Sequence, residues 1–231
     1  AHLRERLSLR TVLLLLAAVL TLVACREDEP AEADIGHAYF PVNIGHWVEY
    51  HVDSIRQHSD NNTAPDTVVY SFDIREELVE QLTDNEGRPA QRILRTTRDG
   101  NGNWIPKDVW WQAREQVRGE RTEENMRRVK LYFPPRTGTR WNTNARNTDD
   151  AFEIGYTSVD QPYSVNGLNF ENTVTVEGTY PPNPFITRNY RERWAKGVGL
   201  IEHEVDSIND QHSLGYNRFY VRYTITAYGD Q

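Results

Sequence analysis

The sequence predicts an all-β domain, an antiparallel curved sheet forming a sandwich or a partial barrel. Two observations carry that prediction. Apolar and polar residues alternate with a period of two through most of the chain past residue 36, the pattern of strands with one buried face. Between the alternating runs stand clusters of Asn, Asp, Gly and Pro, and no segment shows a convincing amphipathic helical stripe.

Along the chain, the first run covers 46–55, and in the second Val68, Tyr70, Phe72 and Ile74 alternate with Thr67, Ser71 and Asp73. Arg75 to Leu82 places Ile74, Leu78 and Leu82 four apart, which suits a helical turn or a continued strand equally. Weaker alternation marks 91–98, 108–118, 126–133, 152–159 and 200–208. Phe170, Val174 and Val176 alternate with Glu171, Thr173, Thr175 and Glu177, and the last run sets Phe219, Val221, Tyr223, Ile225 and Ala227 against polar neighbours. Asp60-Asn61-Asn62, Asp84-Asn85-Glu86-Gly87, Asp99-Gly100-Asn101-Gly102 and Asn166-Gly167 read as hairpin turns or loops, and Pro134-Pro135 and Pro181-Pro182-Asn183-Pro184 as irregular connections. The spacing implies about nine or ten strands. One internal echo, Val52-Asp53-Ser54-Ile55 and Val205-Asp206-Ser207-Ile208, reads as local convergence of two strand ends.

The first 24 residues predict a lipoprotein signal peptide. Arg4, Arg6 and Arg10 form a positive region, Thr11 to Val23 an apolar stretch too short for a comfortable membrane span, and Leu22-Val23-Ala24-Cys25 a lipobox. Small Ala24 admits the peptidase, and the Cys25 thiol accepts a diacylglycerol, so the mature chain is expected to be anchored to a membrane through Cys25. Residues 25–36 read as an acidic flexible tether and 37–231 as a single β-rich domain. The stretch Arg26-Glu27-Asp28-Glu29 resembles the export signal of Bacteroidota surface lipoproteins, and Arg26 stands where an inner-membrane retention signal has Asp. Together these imply the outer membrane, with the domain surface-exposed or facing the periplasm.

Charge narrows the function further. The chain carries 26 basic and 34 acidic residues, so it lacks the basic excess a nucleic-acid partner requires. Cys25 is the single cysteine, which excludes an intramolecular disulfide or a cysteine metal cluster.

Three further segments carry a family resemblance. They are Tyr39-Phe40-Pro41 with Gly45, Trp47-Val48-Glu49-Tyr50 and Val52-Asp53-Ser54-Ile55; Lys130-Leu131-Tyr132-Phe133-Pro134 with Gly138 and Trp141-Asn142; and Trp194-Ala195-Lys196-Gly197-Val198-Gly199-Leu200-Ile201. Together they resemble an uncharacterised group of Bacteroidota lipoproteins. Trp194 stands where Tyr is commoner, and Asn142-Thr143-Asn144 replaces a more usual Asp-Gly-Asn. The resemblance implies a β-rich, lipid-anchored domain and transfers no catalytic residue. Physically, the aromatic–Pro–Gly–Trp segments suit rings plugging one end of a curved sheet, and Gly197 and Gly199 a tight bend or close backbone approach.

Catalytic signatures are missing from the sequence. There is no G-x-S-x-G elbow, no phosphate-binding glycine loop, and His203-Glu204-Val205-Asp206-Ser207 lacks the second His of H-E-x-x-H. Asp99, Asn101 and Asn103 have calcium-loop spacing, but Trp104 and Trp110 occupy the Gly and bidentate Glu positions, so a hairpin turn is expected. His46, His51, His58, His203 and His212 read as scattered surface histidines, with His46 and His51 on opposite faces of a strand. Glu76, Glu77, Glu202 and Glu204 are available for carboxylate-pair chemistry without being singled out by it. No cofactor or metal is expected. Trp104, Trp110 and Trp111 are candidate binding aromatics; if strand-borne, Trp110 and Trp111 point to opposite faces, one toward the core and the other either covered by a loop or exposed to stack on a sugar ring or dock a partner. Asp53-Ser54-Ile55, Asp66-Thr67-Val68 and Asp206-Ser207-Ile208 resemble an O-glycosylation sequon of exported Bacteroidota proteins, making Ser54, Thr67 and Ser207 candidates where exposed.

The function expected from all this is a non-enzymatic binding or structural module with an envelope protein or glycan partner. Carriage of a lipid or other apolar ligand in a barrel cavity is the alternative. A hydrolase ranks third.

Overall fold

The computed structural model describes residues 34–60, 63–179, 183–211 and 215–231. Cys25, the expected signal peptide and most of the acidic stretch lie outside the described residues, as does His212.

Twelve strands follow a 3-10 turn at His37–Tyr39. They are β1 (Trp47–Ser59), β2 (Asp66–Thr83), β3 (Pro89–Arg98), β4 (Trp104–Arg114), β5 (Arg118–Glu123), β6 (Met126–Tyr132), β7 (Arg140–Asn142), β8 (Glu153–Val165), β9 (Leu168–Thr179), β10 (Ile186–Ala195), β11 (Gly199–Asp210) and β12 (Tyr216–Gly229). All belong to one antiparallel sheet in the order β6-β5-β4-β3-β2-β1-β12-β11-β10-β9-β8-β7. The chain starts at the sheet's centre, meanders to one edge, crosses to the other, and meanders back so that β12 lies beside β1.

The crossing from β6 to β7 brings the two edges together. The Val129 N–H donates to the Thr143 carbonyl at 2.9 Å, and the Trp141 indole N–H and Thr143 hydroxyl both donate to the Val129 carbonyl at 3.0 Å. The sheet is therefore a nearly closed barrel, and its terminal edges find partners in each other instead of standing open. Of the two architectures expected, the barrel forms and the sandwich does not.

Arg75 to Leu82 continues β2 as strand. Three strands escaped the period-two reading: β5, β7 and β10. Strand β7 has three residues. Strands β5 (RGERTE) and β10 (ITRNYRERWA) turn Arg121, Glu123, Tyr190 and Glu192 to the barrel interior, so their buried face is not apolar and no alternation of hydropathy marks it.

The aromatic–Pro segment plugs one end of the barrel. Tyr39 and Phe40 are each 1% exposed, and the Phe40 ring stacks on Trp194 with centroids 5.4 Å apart. Glycine at 119 makes room for that ring, because a Cβ there would lie 2.7 Å from Phe40. Gly197 and Gly199 carry φ values of +76° and +89°, the left-handed backbone that lets the β10–β11 turn pass under the plug. Gly36, read from the sequence as the end of the tether, is buried, and the compact unit begins at Ile35.

Candidate functional site

Side chains fill the barrel. On the inward face, register aligns Glu76 with Arg95 and Arg95 with Asp108, while His203 lies opposite Glu192. Arg95 Nε lies 3.1 Å from Glu76 Oε1, and its Nη1 lies 2.9 Å from Asp108. Arg121 reaches the other Glu76 oxygen at 3.0 Å. Lys130 Nζ sits 2.8 Å from Glu192 and 2.9 Å from Glu123, and Glu192 also accepts from the Trp194 indole N–H at 3.1 Å. His203 Nδ1 lies 3.1 Å from Glu192. The Arg95 guanidinium covers the Trp110 ring at 3.5 Å.

Electrostatics hold Glu192, Glu123 and Lys130 in their charged forms. Burial alone would raise the Glu192 carboxyl, but the Lys130 charge and the His203 contact outweigh it, and its pKa falls below the ordinary value. Glu123 shifts down in the same way, with burial opposed by Lys130. Lys130 moves up, its two carboxylate neighbours overcoming desolvation. Carboxylates pinned as anions by cations make a structural network; a general acid needs the opposite shift. The recesses between these side chains measure about 50 Å³ beside Trp110 and His203 and about 30 Å³ beside Phe40 and Trp194. Each takes water at most, whereas small-molecule sites run to roughly 300–1,000 Å³.

The outer face of the same sheet carries a recess of about 390 Å³. It forms across two adjacent rungs of the ladder. In one, Trp111 lies between Arg92 and Thr122, with Arg127 next; in the other, Leu82 pairs with Ala90 and Ala113 with Glu120. Two alanines beside an indole leave a depression with Trp111 as its wall. The rim is a closed ion network. Arg88 contacts Asp84 at 2.7 Å and Glu120 at 3.0 Å and also bonds Glu115, while Arg118 contacts Glu115 and Glu120 at 3.0 and 2.6 Å. Arg127 and Arg146 both bind Glu86. Four guanidiniums thus face four carboxylates, and the rim is formally neutral. On the inward face, a second, more open recess of about 550 Å³ lies between the tips of β1, β2, β11 and β12, lined by Arg56, Val68, Ser207 and Phe219.

The structure separates the three candidate tryptophans. Trp111 lines the outer groove; Trp110 points inward under Arg95, as strand geometry required of adjacent residues. Trp104 opens β4 with the Arg98 guanidinium 4.2 Å from its ring, seven residues and roughly 23 Å of strand from Trp111. They form no common patch. Among the sequon residues, Thr67 is exposed and Ser207 half-buried, whereas Ser54 is buried. Ser54 faces the interior between Tyr70 and Val221, so the condition of exposure fails there. The echoed segments flank β12 on either side, Ser54 opposite Val221 and Ser207 opposite Phe219, which places both serines on the inward face.

Two histidines expected on the surface are not there. His46 is buried, bonded to Asp230 at 2.8 Å and to the Val198 carbonyl at 2.9 Å, and His203 belongs to the interior network. Of the carboxylates considered, Glu76 is buried inward, while Glu202 is buried on the opposite face with Arg193 and Arg222. The Asp99 turn closes on itself, with the Asn101 and Asn103 N–H groups donating to the Asp99 carboxylate, as a hairpin loop does.

One constellation was not legible in the sequence. On the outer face, Ser71 Oγ lies 2.9 Å from His51 Nε2, and His51 Nδ1 lies 2.9 Å from Asp73, the order of a nucleophile–base–acid relay. The three are cross-strand neighbours on a flat, solvated face, with His51 and Asp73 side chains 45% and 43% exposed. Asp53 competes for the Ser71 hydroxyl at 3.1 Å. The arrangement is cross-strand hydrogen bonding between β1 and β2.

No protein-family model matches the chain, and no curated protein matches it. Among solved structures, the chain is similar to a crystal structure from Parabacteroides distasonis ATCC 8503 described as a "putative lipoprotein", with a TM-score of 0.41 and 10% identity over 83% of this chain and 98% of that one.

Proposed function

We propose that the protein is a non-catalytic binding module of the bacterial envelope, anchored by lipid on Cys25, whose outer groove at Trp111 receives a neutral, hydroxyl-rich ligand, a glycan. The observation that carries this reading is the contrast between a barrel interior filled with ion pairs and an open, aromatic-walled recess outside it. An indole face stacks on the apolar face of a sugar ring, while Asp84, Arg88 and Arg127 offer donors and acceptors to its hydroxyls. The rim's own charges neutralise one another, which favours an uncharged ligand over an acidic one. The lipobox at Leu22–Cys25 and the acidic residues after it support the outer membrane as the site of anchoring. A carrier role has less support, since the recesses among the buried ion pairs are too small for an acyl chain and the larger inward-facing recess at the strand tips is open and lined mostly by polar side chains.

Calorimetric titration of the full chain with neutral hexasaccharides (gluco-, xylo- and manno-series) and with oligogalacturonate tests the reading. Binding of at least one neutral series, unchanged in 0.5 M salt and weakened at least tenfold by Trp111→Ala, is expected. Binding that survives Trp111→Ala, or only acidic ligand bound, would overturn the groove assignment.

A further inference from the structure

The first half of β2 has a neighbour on one side only. Strand β3 pairs with β2 from Ile74 onward, whereas Asp66 to Asp73 pair with β1 alone among the described residues. The backbone N–H and C=O groups on the far side of this segment therefore face outward unpaired by any strand. The segment, Asp-Thr-Val-Val-Tyr-Ser-Phe-Asp, is also apolar where it is most exposed: Val68, Val69 and Tyr70 are 48%, 65% and 47% exposed. Proteins blunt such edges with lysine, proline, bulges or covering loops. This one has its charges only at its two ends, Asp66 and Asp73, and β1 and β2 pair along it without a register shift.

We propose that this edge is an interface between two copies of the chain, joined antiparallel along Asp66–Phe72 with Val69 on the two-fold axis. An unpaired ladder is chemically specific: the group that satisfies it is another extended strand. The segment's own order matches itself in that register. Val69 meets Val69, Val68 meets Tyr70, and Thr67 meets Ser71, so apolar residues pair with apolar and hydroxyls with hydroxyls on matching faces. Asp66 falls opposite Phe72, and Asp73 lies beyond the paired region, so no carboxylate opposes another.

Val69→Cys tests the geometry in the full chain, where the two introduced thiols would sit within disulfide reach across the axis. Mild oxidation should give a covalent dimer from Val69→Cys and none from Asp53→Cys, whose position on β1 lies away from the edge. Sedimentation of the detergent-solubilised chain should show a dimer that Val69→Lys converts to monomer with an unchanged β spectrum. A monomeric wild type without crosslink would overturn the proposal. So would crosslinking of Val69→Cys to a different envelope protein in place of its own copy.

Discussion

Lys130 Nζ lies 2.8 Å from Glu192 Oε1 inside the barrel, and neither side chain is more than 1% exposed. A buried pair of this kind costs much to desolvate, so removing one partner is far worse than removing both. Lys130→Met, which strands Glu192 and Glu123 without their shared cation, is expected to cost about 3–5 kcal/mol in urea unfolding. Lys130→Met combined with Glu192→Gln should recover part of that loss. Equal stability of the single and double variants would show that the pair is not coupled.

The same network sets a pH window. Glu192 and Glu123 have folded pKa values below the ordinary 4.5, so their contribution is complete above that value and is lost as pH falls toward their folded pKa values. Lys130 is raised above 10.5, so its contribution is complete below that value and is lost as pH rises through its folded pKa. Urea midpoints should be flat between these limits and fall on the acid side, with a shallower acid limb in Glu192→Gln. An identical acid limb in that variant would assign acid unfolding to other groups.

Gly119 and Phe40 form a steric pair. Gly119→Ala places a methyl 2.7 Å from the Phe40 ring and should destabilise by about 1–3 kcal/mol. Adding Phe40→Leu, which removes the clashing ring, should make the Gly119→Ala substitution milder than it is in the wild-type background. A double-mutant cycle with no coupling would contradict this packing.

Ser71, His51 and Asp73 should not act as a hydrolytic relay. A fluorophosphonate probe is expected to leave Ser71 unlabelled, as judged by intact mass. Labelling abolished by His51→Ala would reopen the enzymatic reading.

Hexose added at the Asp-Ser/Thr-aliphatic sites should spare Ser54, whose side chain is buried and points into the barrel. Peptide mapping of protein from its native membrane checks this, and a modified Ser54 would contradict the register of β1. In the same preparation, Cys25→Ser should abolish acylation and release a soluble or uncleaved form. A mutant held in the membrane at its mature size would remove the lipid anchor from the proposal.

The sequence by itself determined the strand character of most of the chain and the expected membrane attachment at Cys25, because both are written locally. Period-two hydropathy declares a strand wherever its inner face is apolar, as in β2 and β12, and adjacent Trp110 and Trp111 had to part to opposite faces of β4. Only the tertiary structure decided what those faces meet. Lys130 finds Glu192 62 residues away, and Ala90, Ala113 and Trp111 make a groove only in one register of β3 against β4. The inward charges of β5 and β10 also explain why those strands were invisible locally. A buried ion pair carries no hydropathy signal in either partner's own neighbourhood, so it becomes legible only when the sheet closes and brings the opposite charge across.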